Sequence, residues 1–145
     1  MRRSFLFAAL SIALPVALHA QAKPATAAPA AAAAAPSPLK RTMLQTKPLV
    51  TQPGRDAITA LAELSVGGSA PRHTHTGEEI GYVLEGTAVA EVEGQPNRDL
   101  KAGDTFFIPP NTPHLVRNTG KIVWKAVSTY LIETGKPLAI PAPKP

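Results

Sequence analysis

His73-Thr74-His75-Thr76-Gly77-Glu78-Glu79 is the stretch on which the fold and the site both turn. Side chains on an extended strand alternate between faces, so His73 and His75 share one face, and a carboxylate follows at once. Neutral imidazoles and a carboxylate are ligands that suit a divalent transition metal, and three of them lie within seven residues. A further imidazole, His114, stands well downstream, and the remaining histidine, His19, falls in a stretch that reads as a removed leader. Every histidine of the mature chain would then belong to one cluster. The expected metal ligands are His73, His75, Glu79 and His114.

Working outward, glycine and proline set a fixed frame around these ligands. Gly67, five residues, His73-Thr74-His75, three residues, Glu79, six residues and Gly86 form one block. Gly103, five residues, Pro109, one residue, Asn111, two residues, His114, three residues and Asn118 form another. The two blocks resemble the first and second motifs of the cupins, and the strand-like flanks fit the rest of a single small barrel of the type-2 kind. The resemblance implies an all-β, single-domain double-stranded β-helix, or jelly-roll barrel. One position departs, since the motif usually has glycine where this chain has Asn111; asparagine tolerates a left-handed backbone, so the turn should survive. The commoner cupin spacing favours Glu79 over Glu78 as the ligand and leaves Glu78 solvated.

The 145 residues leave room for one domain once the leader is set aside. The absence of cysteine excludes disulfides, thiol nucleophiles, Cys-ligated zinc and a lipid anchor on cysteine. The net charge of +5 is unevenly placed: all 10 acidic residues lie at or after Asp56, whereas 7 of the 15 basic ones precede it. From Asp56 onward, 8 basic residues against 10 acidic ones give −2. Basicity thus belongs to the leader, the tail and the first strand, and no basic and aromatic interleaving is present to stack on bases. No nucleic-acid partner is expected.

Met1–Ala22 reads as an export signal: Arg2-Arg3, the apolar run Phe5–Leu18, then Ala20-Gln21-Ala22 with cleavage after Ala22. The run is shorter than the roughly 20 residues of a membrane-spanning helix, so no span is expected once the signal is removed. Arg2-Arg3-Ser4-Phe5-Leu6 also resembles a twin-arginine core, but its arginines stand close to the start, and ordinary secretion is the preferred route. The mature protein is expected in the periplasm or outside the cell. Lys23–Pro38 is Ala and Pro with almost nothing else; the prolines interrupt any helix, and the segment reads as a disordered spacer.

The barrel is expected over 39–145, with strands near Met43–Val50, Ala57–Val66, Arg72–His75, Ile80–Leu84, Thr87–Val92, Thr105–Ile108, His114–Arg117 and Lys121–Ile132. Ile58, Ala60, Ala62, Leu64 and Val66 share a parity that marks an inward face. Met43, Tyr82, Phe106, Phe107, Trp124 and Tyr130 are the large side chains able to line the interior, though core packing accounts for each as well. Arg72 could bind a substrate carboxylate, but its parity opposes His73 and suits the surface equally. Asp104 is expected to stabilise a turn, and Asn118 to hydrogen-bond within the barrel.

Three imidazoles and a carboxylate leave two positions of an octahedron open, which suits Fe, Mn, Ni or Co; the cupin resemblance favours Fe, Mn or Ni, and Zn is possible. Two functions are open: a small metal-dependent enzyme of the dioxygenase, decarboxylase or isomerase class acting on a small oxygen-rich metabolite, or a non-catalytic metal- or small-molecule-binding module. The resemblance also implies a homodimer paired through an N-terminal strand, with Thr42–Val50 able to serve.

Overall fold

The computed structural model describes residues 38–143. The expected leader, Met1–Ala22, and the spacer before residue 38 lie outside the described residues. Ten strands follow in order: β1 (Leu39–Pro48), β2 (Arg55–Leu64), β3 (His73–Thr74), β4 (Glu78–Glu85), β5 (Thr87–Val92), β6 (Arg98–Lys101), β7 (Thr105–Ile108), β8 (His114–Asn118), β9 (Trp124–Glu133) and β10 (Ile140–Pro141). They form two antiparallel five-stranded sheets, ordered β1-β2-β9-β4-β7 and β10-β3-β8-β5-β6. This is the cupin double-stranded β-helix, with the core between the sheets. Among the described residues no helix is long and apolar enough to cross a membrane.

Alternation decides which side chains meet inside. On β9, Trp124, Ala126, Ser128, Tyr130 and Ile132 are buried while their neighbours are partly exposed. Register extends this parity across the sheet in rows, one of which runs Ala60, Ser128, Gly81 and Phe106. The next row holds Ala62, Ala126 and Val83. The middle of the wall is therefore built from small residues, and that leaves a cavity. Gly81 is required there, because a Cβ on it would lie 2.0 Å from the Phe106 ring. Leu64, Leu100, Ile108 and Trp124 close the ends, each fully buried apolar side chain contributing about 1.5–3 kcal/mol.

Turns carry the strained backbone. Asn111 is the single non-glycine described residue at positive φ (55°), as its motif position requires, and its amide donates to the His75 carbonyl at 2.8 Å. The β5–β6 hairpin turns at Gly94 (φ 76°).

Several sequence expectations need correction. β6 was missed because Leu100 alone among its four residues points inward, and β10 because two residues carry no period. The last long strand begins at Trp124, not Lys121, and β1 begins four residues before the expected Met43. Val66 lies beyond β2 and is 57% exposed. Of the large side chains, Phe106, Trp124 and Tyr130 are buried, whereas Met43, Tyr82 and Phe107 are about half exposed. Tyr82 and Phe107 are each one residue out of phase with the inward Gly81 and Phe106, and parity turns them away.

Candidate metal centre

The second sheet supplies the imidazoles. His73 of β3 stands directly opposite His114 of β8, and their ring centroids are 4.4 Å apart. His75 keeps the parity of His73 just past the strand, 4.8 Å from His73 and 5.0 Å from His114. All three are buried, and one ring nitrogen from each lies within 4.8 Å of the others. Glu79 comes from the opposite wall, on β4 between Ile108 and Tyr130, and its carboxylate oxygen lies 3.1 Å from His75 Nε2 and 3.3 Å from His114 Nε2. All four sequence-predicted ligands therefore meet, three from one sheet and one from the other.

The crossing from sheet to sheet takes place within Thr76-Gly77, between His75 and β4. A Cβ on Gly77 would lie 1.6 Å from the Leu131 carbonyl oxygen, so only glycine lets the chain pass this close. Thr76 Oγ1 accepts from the Glu133 amide at 3.1 Å and holds the same corner.

Backbone carbonyls set the tautomers. His73 Nδ1 is 2.6 Å from the Pro71 carbonyl, His114 Nδ1 is 2.9 Å from the Thr112 carbonyl, and His75 Nδ1 meets the Leu138 carbonyl. A carbonyl only accepts, so each Nδ1 carries the proton and each Nε2 offers a lone pair. Those lone pairs of His75 and His114 face the Glu79 carboxylate, itself only an acceptor. His114 Nε2 is buried and makes no hydrogen bond. Acceptors facing acceptors require a positive charge between them, either a second proton on an imidazole or a metal cation. The donor set fits a divalent transition metal, with the carbonyls orienting each ligand.

Charge states agree with this. Burial lowers the pKa of His73 to about 4, and the nearby His114 adds to the effect, against the pull of the Pro71 carbonyl and Glu79. His73 is thus free of a second proton at neutral pH. Burial would raise Glu79, but His114 and His75 outweigh it and hold the carboxyl well below the usual range. Tyr130, its ring 4.7 Å from His75, is kept protonated by burial and by the charge of Glu79.

Beside the cluster lies a cavity of about 30 Å³, lined by Arg41, Phe106, Trp124, Ser128 and Tyr130 together with His73, Glu79 and His114. It has room for a couple of water-sized groups. An outer pocket of about 350 Å³ adjoins it, sharing Leu39, Arg41 and His73 and walled by Pro71, Arg72, Ala139 and Pro141.

The weighed residues fall out as follows. Glu78 pairs with Arg55 at 3.4 Å, outside the cluster. Arg72 turns from the cluster and binds Glu93 and, at 3.0 Å, the Pro143 carbonyl. Asp104 accepts from the Lys101 amide at 2.9 Å and stabilises that turn. Asn118 donates to the carbonyls of Leu64, Ser65 and Ile122 and accepts from the Gly120 amide. Sequence reasoning missed Leu138, whose carbonyl orients His75, and it missed Arg41. The inward parity of Leu39 and Arg41 was the available signal, but β1 shifts register between Met43 and Gln45, and the alternation breaks there.

Residues 60–130 match the family model described as the cupin domain. Among curated proteins, an uncharacterized protein of Methanocaldococcus jannaschii is 40% identical over 67 residues, 46% of this chain and 53% of the relative. The dimethylsulfoniopropionate lyase DddQ of Ruegeria pomeroyi is 45% identical over 47 residues, 32% of this chain and 23% of the enzyme. The chain thus spans about half the length of the first of these relatives and less than a quarter of the second. Among solved structures, a double-stranded β-helix protein of Klebsiella pneumoniae superposes with a TM-score of 0.62 at 19% identity, over 76% of this chain and 89% of that one. That likeness bears on the fold alone.

Proposed function

We propose that this cupin-fold chain, with its cupin-domain match over residues 60–130, binds one divalent transition metal through His73, His75, His114 and Glu79 and serves as a small metal-dependent enzyme acting on a small oxygen-rich metabolite. The observation that carries the reading is the set of buried Nε2 lone pairs converging on a buried carboxylate with Nδ1 already committed. Bound there, the metal supplies Lewis-acid polarisation of a substrate oxygen, and iron, manganese or nickel suits the donor set with zinc as the alternative. The chain's own residues do the rest. His73, His75 and His114 turn Nε2 towards the centre with Nδ1 held by carbonyls, Glu79 neutralises charge, the Tyr130 phenol keeps its proton as a donor beside the cluster, and Phe106 and Trp124 exclude water. Reactions of the dioxygenase, decarboxylase or isomerase class are compatible with two open coordination positions.

A second reading is favoured by one observation: among the described residues the inner cavity is lined by no carboxylate other than Glu79, so they offer no separate carboxylate base. On this reading the chain is a non-catalytic module that binds metal or a small molecule. The proposal further includes export to the periplasm or beyond, motivated by the charged, apolar and small-residue order of Met1–Ala22. It also includes a homodimer paired through β1, the outer strand of its sheet among the described residues, where Met43 and Leu44 are half exposed.

Elemental analysis of purified, dialysed protein tests the centre. About one metal per chain is expected in wild type and little in His75→Ala; equal content in the two would remove the site. Turnover of small hydroxy acids and diols by the loaded protein then separates enzyme from binding module.

A further inference from the structure

Two buried donors inside the barrel have no acceptor. Arg41 Nε and Trp124 Nε1 are shielded from solvent and meet no hydrogen-bond partner among the described residues. Both line the inner cavity with His73, Glu79 and His114. Such donors are ordinarily satisfied, and a charged one most of all.

Arg41 differs from the other described arginines. Arg55, Arg72 and Arg117 pair with Glu78, Glu93 and Glu91, and Arg98 is exposed. Among the described residues the one carboxylate sharing the cavity with Arg41 is Glu79, whose oxygen lies against His75 and His114. Opposite Arg41 on β2 stands Ala62, followed on β9 by Ala126. These small side chains leave the guanidinium room to lie inward. Arg41 and His73 also line the outer pocket, so they stand where the pocket meets the inner cavity.

We infer that Arg41 anchors the carboxylate of a short ligand that enters by the outer pocket and presents its other oxygen to the histidine cluster, with Trp124 Nε1 as a further donor. Only the ligand's far end rests on the metal-centre reading. The chemistry of both ends is written in the unmet atoms. Two free donors call for an anion, while the free lone pair of His114 Nε2 calls for a cation. A short hydroxy- or oxo-carboxylate answers both, offering a planar group that the guanidinium fork matches and an oxygen suited to a metal. The small inner cavity limits it to a few atoms beyond the arginine, the remainder lying in the outer pocket.

Trp124 is the chain's one tryptophan, so its emission reports on the cavity. The full-length protein, with metal content measured on the same samples, is titrated with glycolate, with neutral 1,2-ethanediol and with inorganic phosphate. Wild type should show a saturable change with glycolate and none with ethanediol at the same concentrations. Arg41→Gln should weaken glycolate tenfold or more with metal content unchanged, the loss expected for a charge-assisted contact. Undiminished glycolate affinity in Arg41→Gln overturns the inference, as does a response to phosphate but not glycolate, or none to glycolate in metal-loaded wild type. If Arg41→Gln does not fold, the wild-type contrast decides: equal responses to glycolate and ethanediol overturn it. A metal-free wild type that binds glycolate through Arg41 would sink the metal reading and leave the anchor standing.

Discussion

The two walls of the barrel treat their polar atoms in opposite ways. On the β10-β3-β8-β5-β6 wall, each of three histidines has its Nδ1 held by a backbone carbonyl, and every ring is oriented before anything binds. On the β1-β2-β9-β4-β7 wall, Arg41 and Trp124 present donors that nothing in the described chain answers. The first wall is preorganised by short-range loops and by the C-terminal strap, which pairs β10 with β3 and brings Leu138 to His75. The second wall keeps these two donors free for a ligand. Glu79 joins the walls, a residue of the second whose carboxylate faces the imidazoles of the first. A pocket built this way fixes its metal ligands tightly and leaves selection of the bound molecule to the other face.

Breaking the link between the walls should produce the largest effect. Gly77→Ala would force the Leu131 backbone aside where the chain crosses. We expect a loss of about 3 kcal/mol or more, a melting temperature lower by roughly 12 °C or more, and loss of metal. Gly94→Ala is the control, since its Cβ meets nothing within 4 Å; it should cost only about 1–2 kcal/mol for the positive φ. Equal melting temperatures for the two variants would show that the crossing is not the constraint.

Acid tests the preorganised wall. In metal-free protein the pKa of His73 is depressed to about 4 from 6.5, so the unfolded chain takes up the proton first. Stability should therefore fall as pH drops from about 6.5 to about 4, by on the order of 3 kcal/mol. Glu79, also lowered, adds a further loss below its ordinary value of 4.5. Urea unfolding at stepped pH should lose this upper limb in His73→Gln; an unchanged profile would mean that His73 is not the group responsible. Metal competes with the proton on folded His73, so its affinity should weaken as pH falls towards about 4.

Asn118→Ala probes the far end of the walls, where Asn118 of β8 reaches Leu64 and Ser65 across the barrel. Three carbonyls and one amide lose their partner, and about 2 kcal/mol should follow in denaturant unfolding, with metal content retained. A drop in metal occupancy here would show the two ends of the barrel to be coupled. The smallest change should come from Arg72→Ala. Its ion pair with a half-exposed Glu93 should be worth less than about 1 kcal/mol in a thermal melt. A larger loss would mean that the strap held through Pro143 matters more than the pair.

The histidine wall was legible in the sequence because its determinants are local. Alternation over two residues placed His73 and His75 on one face, glycines and Asn111 marked the turns, and the spacing to His114 carried the cupin resemblance. The turn role of Asp104 followed from the same short-range logic, and the hydrogen-bonding role of Asn118 from its place in the cupin-like motif. The opposite wall was legible only in part: the inward parity of Ala60, Ala62 and Leu64 and the place of Glu79 were read, but not the parity of β1 or β7. Whether Phe106 or Phe107 faces inward depends on register with Gly81, and the parity of β1 is broken by a bulge, so Arg41 could not be placed from its neighbours. β10 carries too few residues for any period, yet its pairing with β3 helps bring the Leu138 carbonyl to His75. Periodicity and turn chemistry act over a few residues and are written into the chain. Which donors are left without an acceptor depends on groups distant in sequence, and only the closed barrel decides that.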